Sequence, residues 1–249
     1  MAAEVEILLE ARLQEITLAG DGFALAVADG RIIEADAVRI GIGAVPRSAL
    51  AEAAGLTVDG GIVVDATLAT ADPDIFAAGD ACAFPHPMAP GLMRLECWKN
   101  ADAQGARAAR NMLGAGEVCA DVPWFWSDQY ELTFQMAGTP EQGERTMERD
   151  VGAGALTLFH LDRDGRLVGV SGVGPPALAR DLRLGQLMIE RGLAPDPAAL
   201  AEPAMRLKAC CDDAEVQKHE MTAEALEPII REGGREVGEV AVSVREQPR

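Results

Sequence analysis

Gly79 and Asp80 end the run Thr70-Ala71-Asp72-Pro73-Asp74-Ile75-Phe76-Ala77-Ala78-Gly79-Asp80, and their types and spacing suit contact with a polar ligand. Glycine has no Cβ, so the backbone there can come close to a bound molecule. Ile75 to Ala78 reads as a short buried strand, which puts Asp80 at a strand's carboxyl end, where ligands bind in open α/β sheets. A carboxylate in that position can accept a hydrogen bond from a ligand hydroxyl, a charge-assisted bond of about 1.5–3 kcal/mol. The competing reading is an Asp that caps the next helix.

Other reactive residues are sparse. None of the five cysteines (Cys82, Cys97, Cys119, Cys210, Cys211) forms a C-x-x-C pair, and His86, His160 and His219 are scattered. Metal-ligand spacing is therefore absent. An odd cysteine count without a framework fits reduced thiols, with the cytoplasm as the default compartment. The vicinal Cys210-Cys211 reads as two incidental thiols at a helix end. Gly41-Ile42-Gly43-Ala44-Val45-Pro46 lacks the third glycine of a phosphate loop, and Pro46 stands where the turn should enter a helix.

The elements that must position these residues follow from turn signals and periodicity. Strands are predicted at residues 5–9, at Phe23 to Val27 between Asp21-Gly22 and Asp29-Gly30, at Ala37 to Ile42, and at Gly61 to Asp65. A short helix is expected over Ser48 to Ala54, with Ser48 as its cap. The clearest helical region, Glu96 to Leu113, is rich in small residues and ends at Gly114 and Gly116. After Trp124, Leu156 to Leu161 and Leu167 to Val170 flank a hairpin turn at Arg163-Asp164-Gly165-Arg166. An amphipathic helix follows over Leu178 to Arg191, closed by Gly192, and Pro195-Asp196-Pro197 opens a short helix through Leu200. From Ala209 the chain reads as an acidic, poorly packed tail with a possible helix at Ala223 to Arg231 and a strand at Val237 to Val244.

Composition bounds the function. The chain has 249 residues, 49% of them hydrophobic, enough to build a core in one large or two small domains. A net charge of −18 argues against nucleic acid and anionic membranes as partners, because phosphate contact needs clustered Lys and Arg. No run is long and apolar enough for a membrane span, and the first residues carry no signal-like apolar core.

Four strings in order resemble a known family. They are Ile42-Gly43-Ala44-Val45-Pro46, then Thr70 to Asp80, then Leu95-Glu96-Cys97-Trp98-Lys99-Asn100-Ala101-Asp102-Ala103-Gln104-Gly105, and Val122-Pro123-Trp124-Phe125-Trp126-Ser127-Asp128-Gln129. Together they resemble the carboxyl-terminal half of the FAD-dependent NADH:ferredoxin reductases, which feed Rieske-type oxygenases and bacterial cytochromes P450. Thr70 to Asp80 looks like the second FAD-binding motif. The resemblance implies an α/β fold: an incomplete two-dinucleotide-binding flavoprotein plus a carboxyl-terminal α+β reductase domain. Residues 1–40 would end the NAD-binding domain, 41–118 would be the returning segment of the FAD-binding domain, 119–208 the reductase domain and 209–249 the tail.

The same resemblance implies the site. Gly79 and Asp80 would meet the ribityl chain of FAD, and Glu96, Cys97 and Trp98 would begin a helix whose N-terminus faces the flavin. Helix dipole and free N–H groups would there stabilise negative charge on the reduced ring. Trp126 resembles the family's aromatic near the isoalloxazine and nicotinamide, whereas Trp124 reads as core packing. The thiol of Cys97 admits either a redox-sensitive role or a plain small-residue exchange. Implied cofactors are FAD and NAD(P)H, and the implied partner is an iron–sulfur ferredoxin, with a homodimer possible. Both G-x-G-x-x-G fingerprints are missing, so the sequence looks like a truncated chain whose phosphate loops would lie upstream of Met1. Two alternatives stay open: a pyridine-nucleotide disulfide reductase relative, and a flavin-free remnant serving as an interaction module.

Overall fold

A computed structural model describes residues 5–152 and 154–215. The chain divides into two compact units, Met1–Val45 and Pro46–Arg249.

The first unit is an antiparallel meander of β1 (Leu13–Ala19), β2 (Gly22–Val27) and β3 (Ile32–Ala35). The β2–β3 turn is pinned by Asp29, whose carboxylate accepts from the Arg31 backbone N–H at 3.0 Å. Strands expected at 5–9 and 37–42 do not form, and β1 and β3 take their place. Residues 5–9 are strand-like in composition, apolar apart from Glu6, but a strand persists only where a neighbour pairs with its N–H and C=O groups. Val5, Ile7 and Leu9 lie exposed.

The second unit starts with helix α1 (Ala49–Ala53). Ser48 stands at its N-cap, but its hydroxyl donates to the Glu52 carboxylate at 2.6 Å instead of accepting a backbone N–H. A small sheet follows, with β4 (Ile62–Val63) parallel to β5 (Cys82–Pro85) and β5 antiparallel to β6 (Leu92–Met93). The strand expected at Ile75 to Ala78 is reduced to one bridge, Phe76 with Ala69. Local turns consume the groups a ladder would use. Asp72 N–H donates to the Thr70 hydroxyl and Asp74 N–H to the Asp72 carboxylate, so pairing stops at the two bonds that flank the bridge, Thr70 N–H to the Ile75 carbonyl and Ala77 N–H to the Leu68 carbonyl. Ile75, expected inside, is 38% exposed. Helix α2 (Trp98–Met112) closes this part, and Gly114 and Gly116 after it both have positive φ.

A five-stranded antiparallel sheet forms the rest, in the order β7-β8-β11-β10-β9. Its strands are β7 (Trp124–Gln129), β8 (Leu132–Gly138), β9 (Arg145–Gly152), β10 (Ala155–Leu161) and β11 (Leu167–Gly174). The hairpin between β10 and β11 forms as its sequence dictates: the Asp162 carboxylate accepts from Asp164 N–H and Arg166 N–H, and Gly165 takes φ +80°. Helix α3 (Ala179–Glu190) buries Leu182, Gly185, Met188 and Ile189. Gly185 is needed for that contact, since a Cβ there would lie 2.8 Å from Val170 Cγ1. Helix α4 (Pro197–Ala201) is capped by Asp196, which accepts from Ala198 N–H at 3.0 Å.

Helix α5 (207–215) corrects the start of the tail: Cys210, Cys211 and Ala214 are buried in the same core as Phe159 and Leu182. Arg149 fixes the connection before it, donating to the carbonyls of Leu200, Glu202, Pro203 and Met205. The helix at 223–231 and the strand at 237–244 lie outside the described residues. Among the described residues, no helix is long and apolar enough to cross a membrane, and no group of three His, Cys, Asp or Glu could hold a metal.

His86 joins the loop after β5 to the segment entering β7. Its Nδ1 accepts from Met88 N–H at 3.2 Å, and its Nε2 lies 3.0 Å from the Asp121 carbonyl. Only the neutral ring, with hydrogen on Nε2, satisfies both. Burial pushes the His86 pKa below its usual value, against a smaller upward pull from Asp121, and burial lowers that of His160 likewise. Below about pH 6.5 the unfolded chain takes up protons that the folded chain resists, so stability falls until the depressed folded values are reached. We expect the melting temperature to drop as pH falls from about 7.5 to about 5, above the range where most carboxylates titrate. A His86→Asn/His160→Asn double variant should show a flatter profile; an unchanged slope would assign the effect to other groups.

Candidate functional site

The turn that carries Gly79 and Asp80 is a single 3-10 turn, Gly79–Ala81, that leads into β5. Asp80 therefore precedes a strand, where the sequence placed it after one. Gly79 is buried at φ +73°, and a Cβ there would lie 3.1 Å from the Ala101 Cβ of α2. Its N–H donates to Gln104 Oε1 at 2.7 Å. Asp80 is exposed, and among the described residues its carboxylate has no hydrogen-bond or ion-pair partner. It caps no helix. Arg94 binds its backbone carbonyl at 3.4 Å and pairs with the exposed Glu96 carboxylate.

Cys97 is the N-cap residue of α2, with extended backbone and no side-chain cap. The first bond of the helix runs from Ala101 N–H to the Cys97 carbonyl, so the N–H groups of the first turn face outward without intrahelical partners. The Cys97 thiol donates instead to the Trp124 carbonyl at 3.1 Å, tying the start of α2 to β7. No acidic residue stands in the first turn of α2, so the positive end of the helix dipole is left uncompensated from within the helix.

The three tryptophans form one aromatic group. Trp126 stacks on Trp124 with centroids 4.9 Å apart and planes at 25°, and Trp98 meets Trp126 edge-on at 6.2 Å. Trp98 is 72% exposed, a large apolar surface at a helix start. Lys99 Nζ sits 4.5 Å from the Trp124 ring centre. Trp124 packs against the buried core, as the sequence suggested, yet it also lines two cavities. The smaller, 290 Å³, is bounded by Arg94, Glu96, Cys97, Phe125 and Thr139 as well. The larger, 730 Å³, lies between α2 and α3 and is bounded by Lys99, Asn100, Asp121 and Gln186.

The structure thus joins the six residues singled out from sequence through intermediates that sequence reading passed over. Arg94 links Asp80 to Glu96, Trp124 links Cys97 to Trp126, and Gln104 links Gly79 to α2. Glu96 and Cys97 line the smaller cavity, whereas Gly79, Asp80, Trp98 and Trp126 do not. A signal for Gln104 was present. Gln104, Ala108 and Asn111 are the buried residues of α2, spaced by four and three, so two polar side chains lie on the stripe that should be apolar.

Comparison with known proteins bears on the family. Residues 124–211 match the "Reductase C-terminal" family model, and residues 1–105 match that of the "Pyridine nucleotide-disulphide oxidoreductase". The chain is 43% identical over 194 residues to the anthranilate 1,2-dioxygenase system ferredoxin--NAD(+) reductase component of Burkholderia cepacia, covering 78% of this chain and 47% of that protein. It is 42% identical to rhodocoxin reductase of Rhodococcus erythropolis, covering 73% and 43%. Among solved structures, the covalent putidaredoxin reductase–putidaredoxin complex superposes with a TM-score of 0.75 at 31% identity, covering 82% of this chain and 49% of that one. The chain spans about half the length of the curated relatives it matches. Four ordered motifs, two family models and a shared fold agree: the chain is similar to the carboxyl-terminal half of the ferredoxin--NAD(+) reductases.

Proposed function

We propose that this chain is a portion of an oxidoreductase that passes electrons from NAD(P)H through FAD to a ferredoxin serving an oxygenase. The observation that carries this reading is an unpaired carboxylate, Asp80, beside a positive-φ glycine and linked through Arg94 to the uncapped start of α2. That set fits FAD: an acceptor for ribityl hydroxyls, and free N–H groups for a ring that gains negative charge on reduction. Bound flavin supplies hydride acceptance and stepwise electron release; the protein supplies position and electrostatics. Asp80 accepts from a flavin hydroxyl, and Arg94 holds the Asp80 backbone. The first-turn N–H groups of α2 orient toward negative charge. Trp98 and Trp126, in edge-on contact beside the start of α2, would offer aromatic surface to a bound flavin or nicotinamide ring. The names of the relatives support a ferredoxin partner, and five unpaired cysteines support a reducing compartment such as the cytoplasm.

This chain has no glycine-rich phosphate loop in its sequence, and such a loop with its helix N-terminus supplies the main anion site for a dinucleotide. We therefore expect the isolated chain to bind FAD weakly, with a Kd above about 1 μM, equivalent to less than about 8 kcal/mol. Titration with FAD, followed by flavin fluorescence and by backbone amide shifts at Gly79, Asp80 and Trp98, tests the reading. Shifts confined to those residues support it. A protein with no response there at millimolar FAD is not a flavin site.

A further inference from the structure

Gln104 is wholly buried in the middle of α2, although a primary carboxamide is costly to bury without partners. All of its partners are identifiable. Oε1 accepts from Gly79 N–H at 2.7 Å and from the Cys82 thiol at 3.3 Å, while Nε2 donates to Cys119 Sγ at 3.6 Å. A backbone N–H can only donate, so the carboxamide oxygen must face Gly79, and the NH2 group is left for Cys119. Burial pushes the Cys82 thiol up to about 12, so it remains a donor, shared between Gln104 and the Gly79 carbonyl at 3.4 Å. Cys119 in turn is met by Arg107 Nη1 at 3.5 Å, and Arg107 pairs with Asp121 at 2.6 Å. A continuous polar chain therefore runs from Asp121, just before β7, to the turn that presents Asp80.

We propose that Gln104 is the positioning residue for that turn: its carboxamide fixes the Gly79 N–H, and so fixes the direction in which Asp80 is offered to the flavin. The inference rests on the flavin reading above. Gly79 has left-handed backbone and no side chain of its own to hold it, so the turn needs an external anchor. The neighbouring links share that task unequally. The Cys82 thiol binds the carbonyl of Gly79 weakly, and Arg94 reaches only the carbonyl of Asp80. The 2.7 Å bond from Gly79 N–H is the shortest among these.

Two variants separate positioning from bulk stability. Gln104→Met keeps the volume and removes the acceptor for Gly79. Cys119→Val removes the partner of Nε2 and leaves the Gly79 bond in place. Amide exchange by NMR should be about tenfold or more faster at Gly79 in Gln104→Met, as one lost hydrogen bond implies, with β10 and α3 exchanging as in the parent. In Cys119→Val the Gly79 rate should stay near the parent's even if melting falls. In the FAD titration, the amide shifts at Asp80 should vanish or need several-fold more FAD in Gln104→Met only. Unchanged Gly79 exchange in Gln104→Met would overturn the proposal, as would equal FAD response in parent and Gln104→Met. A parent that shows no FAD response, with faster Gly79 exchange in Gln104→Met, would remove the flavin reading and leave Gln104 as an anchor of the turn alone.

Discussion

Gly138→Ala is expected to destabilise the carboxyl-terminal sheet by about 2–5 kcal/mol, the sum of a left-handed backbone penalty of about 1–2 and an overpacking cost of about 1–3. Gly138 ends β8 at φ +78°, and a Cβ there would lie 2.2 Å from the Val168 carbonyl oxygen. That oxygen has no freedom to retreat, since it accepts from the N–H of Thr139, the residue just after β8, at 2.8 Å. The Ile189 Cδ1 of α3 would be only 3.0 Å away on the same side. Gly165→Ala provides the control. It has φ +80° in the β10–β11 turn but nothing within 4 Å of its would-be Cβ, so only the backbone penalty of about 1–2 kcal/mol applies. Urea unfolding of both variants measures the difference. Equal losses would mean that the close approach of Val168 is relieved at no cost. Because Gly138 and Thr139 also line the smaller cavity beside Cys97, the variant should disturb that cavity before it unfolds the sheet.

Asp80→Ala, made in a full-length flavoprotein that carries this segment, should weaken FAD binding by about tenfold to a hundredfold, the equivalent of one charge-assisted hydrogen bond of about 1.5–3 kcal/mol. Stability should change little, because Asp80 is exposed and its carboxylate has no partner among the described residues. The pair of readouts is discriminating. A helix cap would lose stability and leave flavin affinity untouched, but Asp80 caps no helix. Asp80→Asn keeps an acceptor and loses the charge, so it should fall between the parent and Asp80→Ala. Retention of flavin at parental affinity in Asp80→Ala would exclude Asp80 from the site, leaving the start of α2 and its tryptophans to carry it.

Local chemistry determined the elements whose signals lie within a few residues. The β10–β11 hairpin follows from Asp162 and Gly165, both satisfied inside the turn. Helix α3 follows from apolar residues recurring on one face, and α4 from an Asp cap before Pro197. The four ordered motifs made the resemblance legible as well, because each records a local conformation next to a residue of distinctive chemistry. What sequence alone could not decide was pairing. Residues 5–9 and 37–42 have the composition of strands and remain unpaired, while β7, β8 and β9 become strands because neighbours in the sheet complete their hydrogen bonds. The run Ile75 to Ala78 reads as a strand by hydrophobicity, but the turn bonds of Thr70 and Asp72 take its neighbours' backbone groups first. The site shows the same division. Gly79 and Asp80 stood out in the sequence, yet the contact that holds them comes from Gln104, twenty-five residues away along the chain. Only the packing of α2 on that turn decides that a carboxamide belongs in an otherwise apolar stripe, because a buried N–H must find its acceptor wherever the fold brings one within reach.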